Sequence, residues 1–229
     1  MRPKQLKFPF RWEERAPILL EKVLYVPKHY QEHDQWNKQA LWDVFSSFDS
    51  ICIEYCAGNG AWIEQKAKDN SQVLWVAVEK RFDRVQKIWA KQQNYSLNNL
   101  LVVCGDALTF TKHYIKDSTV EAVFVNFPDP WPKEKHAKNR LIQREFVEEI
   151  RRIVKRGGEA TFVSDDEAYS HQMIEEMTAE NGKFWQAVFP APFYVTQWPS
   201  QKPSYGSVSF FEELWRSQGK NIHYMQFVR

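Results

Sequence analysis

The chain contains no run approaching the roughly 20 apolar residues of a membrane span, so no transmembrane helix and no membrane partner are expected. Cysteine is scarce. Cys52, Cys56 and Cys104 are odd in number and offer no CxxC pair or matching Cys/His spacing. That argues against a disulfide framework and against a metal site, and it suits a reducing, cytoplasmic compartment. The basic start, Met-Arg-Pro-Lys-Gln-Leu-Lys-Phe, lacks a following apolar block, so no secretory signal is expected. No GxSxG, Walker-type loop or HExxH occurs, which leaves hydrolase, nucleotidase and zincin chemistry without a foothold. Internal repeats and low-complexity tracts are missing as well. So is any large charge excess, since 31 Lys/Arg against 29 Asp/Glu leave a net +2.

What is present is an ordinary globular composition, 43% hydrophobic and 26% charged over 229 residues, enough for one large domain with a sizeable core. Charge is unevenly placed. Between Lys133 and Arg156 there are nine Lys/Arg against four Glu, and the first thirty residues carry seven basic against three acidic side chains. From about residue 50, short apolar runs alternate with amphipathic stretches. Ile51 to Tyr55, Val73 to Val78, Leu100 to Cys104, Val120 to Val125 and Glu159 to Val163 read as strands buried on both faces. Ile142, Phe146, Ile150, Ile153 and Val154 mark a helix between the last two, which Gly157-Gly158 is expected to end. This alternation predicts an α/β domain over 49–229 with a mostly parallel sheet and right-handed crossovers. Phe184 to Phe189 and Ile222 to Val228 would complete the sheet as a hairpin with one antiparallel strand, around a short helix near 209–217. Residues 1–48 read as a basic arm followed by a helix.

The first strand runs into Glu54-Tyr-Cys-Ala-Gly-Asn-Gly60. Glycines at a strand-to-helix turn let backbone approach a ligand, which marks Gly58 and Gly60. The next two strands end at Glu79 and at Gly105-Asp106-Ala107, where open α/β sheets bind ligands. A ribose hydroxyl can donate to Glu79, and an adenine amino group to Asp106. Glu54 beside the glycine turn disfavours a pyrophosphate and favours a cationic amino acid moiety, hence S-adenosylmethionine over a dinucleotide. After the fourth strand comes Asn126-Phe-Pro-Asp-Pro-Trp-Pro-Lys-Glu-Lys-His136. Its alternating prolines predict a stiff, extended loop that holds Asp129 in place. Trp131 is suited to stacking on a base, and Lys133, Lys135, His136, Lys138 and Arg140 to phosphates.

The segment Phe127-Pro-Asp-Pro-Trp-Pro-Lys133 closely resembles the signature of the bacterial tRNA (guanine-N7)-methyltransferases. Its setting does too: the glycine turn, Glu79, Gly105-Asp106-Ala107, Val163-Ser-Asp165 and Ser209-Phe-Phe-Glu212. The resemblance spans the chain from about residue 50 onward. It implies a Rossmann-like class I methyltransferase fold with a seven-stranded sheet, S-adenosylmethionine as methyl donor, and tRNA as partner, with no obligate protein partner. It also implies that Glu54, Glu79, Asp106 and Asp129 line the donor site, with Asp129 catalytic. Lys133, Asp165, Ser209 and Glu212 would then meet the target nucleotide. Three positions depart from the pattern: Cys56 stands for the first glycine, Ser209 for a threonine, and Asp166 for an aromatic. Two other readings remain open on the residues alone. An exocyclic-amine methyltransferase uses a related loop, of which Asn126-Phe-Pro-Asp is a loose relative. A non-catalytic RNA-binding protein can also keep this fold.

Overall fold

The computed structural model describes residues 1–10, 15–179, 184–199 and 210–229. Among these residues nine strands form one sheet: β1 (Ile18–Leu20), β2 (Val23–Val26), β3 (Ser50–Tyr55), β4 (Val73–Glu79), β5 (Leu100–Gly105), β6 (Val120–Asn126), β7 (Val154–Ser164), β8 (Gln186–Ala187) and β9 (His223–Val228). Their spatial order is β1-β2-β5-β4-β3-β6-β7-β9-β8. The run from β2 to β7 is parallel, whereas β9 lies antiparallel between β7 and β8. The strand order reverses at β3, flanked by β4 and β6, which opens a crevice at the carboxyl edge where open α/β sheets take ligands.

The helices cover both faces, and the period-two alternation of the strands sorts the core into two layers. On one face Ile53, Tyr55, Val76, Val103 and Val125 pack with Phe110 of α4 (Ala107–Tyr114), Phe146 and Ile150 of α5 (Arg144–Ile153), and Tyr169 and Met173 of α6 (Glu167–Thr178). On the other, Cys52, Trp75, Ala77, Val102 and Phe124 meet Trp62 and Ile63 of α2 (Ala61–Asp69), and Val85, Ile88 and Trp89 of α3 (Phe82–Asn94). Burial on both faces is why these strands read as continuous apolar runs rather than alternating ones. Two further helices, α1 (Gln39–Ser46) and α7 (Phe210–Ser217), precede β3 and β9. Among the described residues no helix is long and apolar enough to cross a membrane.

Three expectations need correction. Among the described residues the sheet has nine strands, not seven, because the segment read as an arm supplies β1 and β2 at one edge. Their turn, Glu21-Lys22, takes φ of +50° and +60°. That is hairpin geometry normally signalled by Asn-Gly or Asp-Gly, so the sequence carries no recognisable turn mark. Gly157-Gly158 does not end α5, which stops at Ile153 and passes directly into β7. The glycines instead sit where β7 shifts register against β6 between Val120 and Ala122. A Cβ on Gly158 would lie 2.6 Å from the carbonyl oxygen of Glu121. Finally, the strand expected over 184–189 shrinks to Gln186–Ala187 at its middle, with Val188 N adding one backbone bond to Gln226 O at 2.8 Å.

Candidate active site

The turn after β3 is wound by three left-handed residues, Cys56 (φ +58°), Gly58 (φ +57°) and Gly60 (φ +71°). Glycine adopts that conformation freely, whereas an L-residue pays roughly 1–2 kcal/mol. Cys56 therefore occupies a position whose backbone asks for the glycine that the family pattern carries. Its thiol is pushed up to about 12, first by burial and then by the negative charges of Glu79 and Asp129, so it stays protonated and unreactive.

Glu54, the penultimate residue of β3, is 2% exposed. Asn126 Nδ2, at the end of β6, donates to its Oε1 at 2.8 Å. The other oxygen, Oε2, is buried and meets no donor among the described residues. It borders a small cavity of about 30 Å³ formed by the glycine turn, Asn126, Phe127 and Phe211. Burial raises this carboxyl to about 8; the Asn126 bond opposes the shift and the nearby Glu79 adds to it. Glu79, at the end of β4, is also buried, but both its oxygens accept from backbone and Arg84 Nη1 lies 3.7 Å from its Oε2. Its Oε2 accepts from Gly58 N at 3.0 Å and its Oε1 from Arg81 N at 2.9 Å. It thus ties the glycine turn to the start of α3. Asp106 caps α4, its Oδ1 accepting from Thr109 N at 3.0 Å and Thr109 Oγ1 at 3.1 Å.

Next to the small cavity, and sharing Cys56, Phe127 and Phe211 with it, lies a cleft of about 780 Å³. Glu79, Asp106, Ala107, Asp129 and Asp165 all line it. The structure therefore brings these five together, with Glu54, Gly58 and Gly60 around the adjoining cavity. Asp129 is the most open of the acids, with a side chain 67% exposed and Lys80 Nζ at 4.0 Å. Its loop is not simply extended. Phe127 and Trp131, on either side of Pro128-Asp129-Pro130, take φ of +49° and +44°. Asp165, after β7, accepts from Lys220 Nζ at 2.5 Å, and that lysine also lies 3.8 Å from the centre of the Trp215 ring.

Other expected site residues stand apart. Lys133 is exposed at the start of a short 3-10 turn, Glu134–Asn139, and does not reach the cleft wall. Glu212 is buried and does not line the cleft; Arg216 Nε donates to its Oε1 at 3.2 Å and the Tyr224 hydroxyl donates to the same oxygen. Ser209 lies outside the described residues. Trp131 does not line the cleft either, and instead meets His136 edge to face at 5.9 Å. The aromatic surfaces on the cleft come from Phe127, Phe146, Phe211 and Trp215. Phe127 and Phe211 stand inside the motifs that carry the resemblance, with no site role assigned to either there, and Phe146 reads only as part of a helix face. Sequence reasoning missed Lys80 and Trp215. For Lys80 a signal existed, since it follows Glu79 directly at the carboxyl end of β4. For Trp215 none did, because α7 reaches the crevice only through tertiary packing.

Two buried acids flank the glycine turn, and Glu54 keeps an oxygen there without a donor among the described residues, which suits a cationic group better than a pyrophosphate. Fold and crevice together define a class I methyltransferase. Residues 49–225 match the model of a family described as putative methyltransferase. Over 229 residues the chain is 41% identical to the tRNA (guanine-N7)-methyltransferase of Chlamydia muridarum, covering 100% of this chain and 98% of that protein. The like-named protein of Chlamydia trachomatis serovar D is 42% identical with the same coverage, and that of Staphylococcus aureus 32% over 67% of this chain and 72% of its own. The chain belongs to the tRNA (guanine-N7)-methyltransferase family. Among solved structures, the 16S rRNA methyltransferase KamB superposes with a TM-score of 0.60 at 14% identity, covering 89% of this chain and 98% of that one. A structure titled an antibiotic related methyltransferase gives 0.57 at 15% identity, covering 85% and 94%. At such identities the likeness speaks for the fold alone.

Proposed function

We propose that this protein transfers a methyl group from S-adenosylmethionine to N7 of a guanosine in tRNA, the variable-loop guanosine by family resemblance, and that it does so in the cytoplasm. The observation that carries the site assignment is the convergence of strand-end acids on one crevice, with a buried carboxylate oxygen of Glu54 left without a donor. That oxygen and the space beside it suit an ammonium group. Glu79 and Asp106 then flank the nucleoside part of the donor, with Ala107 giving close backbone. The donor supplies an electrophilic methyl group on a sulfonium.

Guanine N7 carries a lone pair and no proton at neutral pH, so its attack needs no general base. Positive charge grows on the base as the bond forms. The residues accordingly align and stabilise rather than abstract a proton. Asp129 presents a negative charge to the cleft beside the donor acids. Asp165 accepts from the N1 and N2 hydrogens of the guanine once Lys220 yields its place. Phe211 and Trp215, rather than Trp131, offer the faces on which a base removed from its stack can rest. Lys133, remote from the cleft wall, suits a phosphate. Glu212 acts on the site by fixing Arg216 and Tyr224.

An exocyclic-amine methyltransferase finds little support in the geometry. The polar side chain such an enzyme turns toward an amine is here Asn126, which is buried and bound to Glu54. The decisive experiment gives the purified protein methyl-labelled donor and unmodified tRNA and maps the label. Label at guanine N7 is expected. Label on an exocyclic amine would replace this reading by the rival one, and no transfer would remove it.

A further inference from the structure

Arg140 reads in the sequence as one of several cations available to phosphates. Its surroundings show a different employment. The side chain turns back on its own loop, and its Nε donates to the Pro130 carbonyl oxygen at 2.8 Å. Nη1 donates to Gln172 Oε1 at 2.6 Å, and the guanidinium carbon lies 5.0 Å from the centre of the Tyr169 ring. Gln172 Nε2 donates in turn to Ile142 O at 2.9 Å, while Ile142 N donates to the Tyr169 hydroxyl at 3.0 Å. Two side chains of α6 thus grip Arg140 and the chain just beyond it.

The Pro130 carbonyl belongs to the peptide whose nitrogen is that of Trp131, and its direction sets the φ of that residue. Trp131 takes φ +44°, and Phe127 on the other side takes +49°. Residues held in such conformations cost about 1–3 kcal/mol each and persist only where the surroundings over-determine them. Phe127 is held by its backbone N–H, which donates to Val163 O at 2.8 Å. Arg140 holds the opposite end. Between these two anchors stands Asp129, itself exposed and, among the described residues, restrained only by its proline neighbours and by Lys80 at 4.0 Å.

We propose that Arg140, backed by Gln172, is a positioning residue that fixes the Pro130–Trp131 peptide and thereby the Asp129 carboxylate. This rests on the reading of Asp129 as the reactive acid. A planar guanidinium reaches two acceptors in different directions while lying over an aromatic face; an ammonium keeps the charge but not that geometry.

The test measures kcat, KM for tRNA and the salt dependence of tRNA binding in Arg140→Ala, Arg140→Lys, Gln172→Ala and Asp129→Ala. Misplacement of a reacting group by about 1 Å costs on the order of 100-fold. Arg140→Ala should therefore lose kcat by about that factor, with KM and the salt slope unchanged. Arg140→Lys should fail to restore it. Gln172→Ala should lose kcat by less, and combining it with Arg140→Ala should add little, because the two act as one unit. On an Asp129→Ala background, Arg140→Ala should have no further effect. Full activity in Arg140→Lys overturns the proposal. So does an Arg140→Ala protein with normal kcat, raised KM and a salt slope reduced by about one, which is the mark of a phosphate contact. Should Arg140→Ala not fold, the lysine variant and Gln172→Ala decide alone. Wild-type activity in Asp129→Ala would remove the underlying reading, whereas an inactive Asp129→Ala beside a fully active Arg140→Ala would remove the clamp only.

Discussion

The crevice has two sides that use acids in opposite ways. On the side proposed for the donor, Glu54 and Glu79 are 2% and 4% exposed and grow out of central strands. Glu79 accepts two backbone N–H bonds, and Asp106 caps a helix. On the side proposed for the acceptor, Asp129 has a side chain 67% exposed and no hydrogen-bond donor within reach among the described residues. Buried acids that hold turns together contribute to the fold as well as to a ligand. An exposed acid on a clamped loop leaves the fold nearly indifferent to its charge. Substitutions on the two sides should therefore separate: rate without stability on one, stability and donor affinity together on the other.

The largest effect is expected on the acceptor side. Asp129→Asn keeps shape and removes charge, so kcat should fall by about 10²–10³-fold, as when a preorganised electrostatic group is removed. The thermal midpoint should stay where it is. A drop in midpoint would show that Asp129 is part of the fold and would erase the contrast. On the donor side, Glu79→Ala leaves Gly58 N and Arg81 N without their acceptor. Stability should fall by about 1–3 kcal/mol, read as a shift in the denaturant midpoint, and donor affinity measured by calorimetry should fall with it. Loss of affinity at unchanged stability would mean that Glu79 serves the ligand alone.

The donor side was the more legible in the sequence, and the reason is topological. Parallel strands buried on both faces announce themselves as apolar runs, and their carboxyl ends fall on one edge, so Glu54, Glu79 and Asp106 follow from counting strands. The acceptor side depends on packing between distant segments. The Asp129 loop is conspicuous for its prolines, yet φ at Phe127 and Trp131, the turn of Arg140 toward Pro130, and the arrival of Phe211 over Gly58 leave no local trace. Residue type alone made Arg140 a phosphate cation and Trp131 a stacking partner. The same limit hid β1 and β2, whose turn uses Glu21-Lys22 where the usual signal is Asn-Gly.

Glu54 sharpens the donor side further, because burial carries its carboxyl from the usual 4.5 to about 8. At pH 7 it is mostly protonated. A carboxyl held above its unfolded value favours the folded state below about 4.5, an advantage lost as pH rises toward 8. An ammonium bound at Oε2 reverses the preference and draws the proton off. Donor binding at pH 7, titrated in buffers of different ionisation enthalpy, should therefore release close to one proton (about 0.9 by the Henderson relation for a group one unit above the pH). Glu54→Gln should release none from this position and bind the donor about tenfold more weakly. Identical proton release in both proteins would place the ammonium elsewhere.

The smallest effect belongs to Cys56, and it tests whether the donor turn is strained by its own sequence. At φ +58° the cysteine pays roughly 1–2 kcal/mol that glycine does not. Glycine, in turn, gives the unfolded chain about 0.5–1 kcal/mol more entropy. Cys56→Gly should accordingly come out between neutral and about 1.5 kcal/mol more stable. Cys56→Val places a β-branched side chain where even a cysteine is uncomfortable, and it should lose stability. The order Gly, Cys, Val in denaturant midpoint is the expected result, with Asp129-dependent turnover nearly untouched in the glycine variant. A valine variant as stable as the parent would mean that the turn relaxes to negative φ at no cost. The glycine turn would then be adaptable, and the donor side less rigid than its buried acids imply.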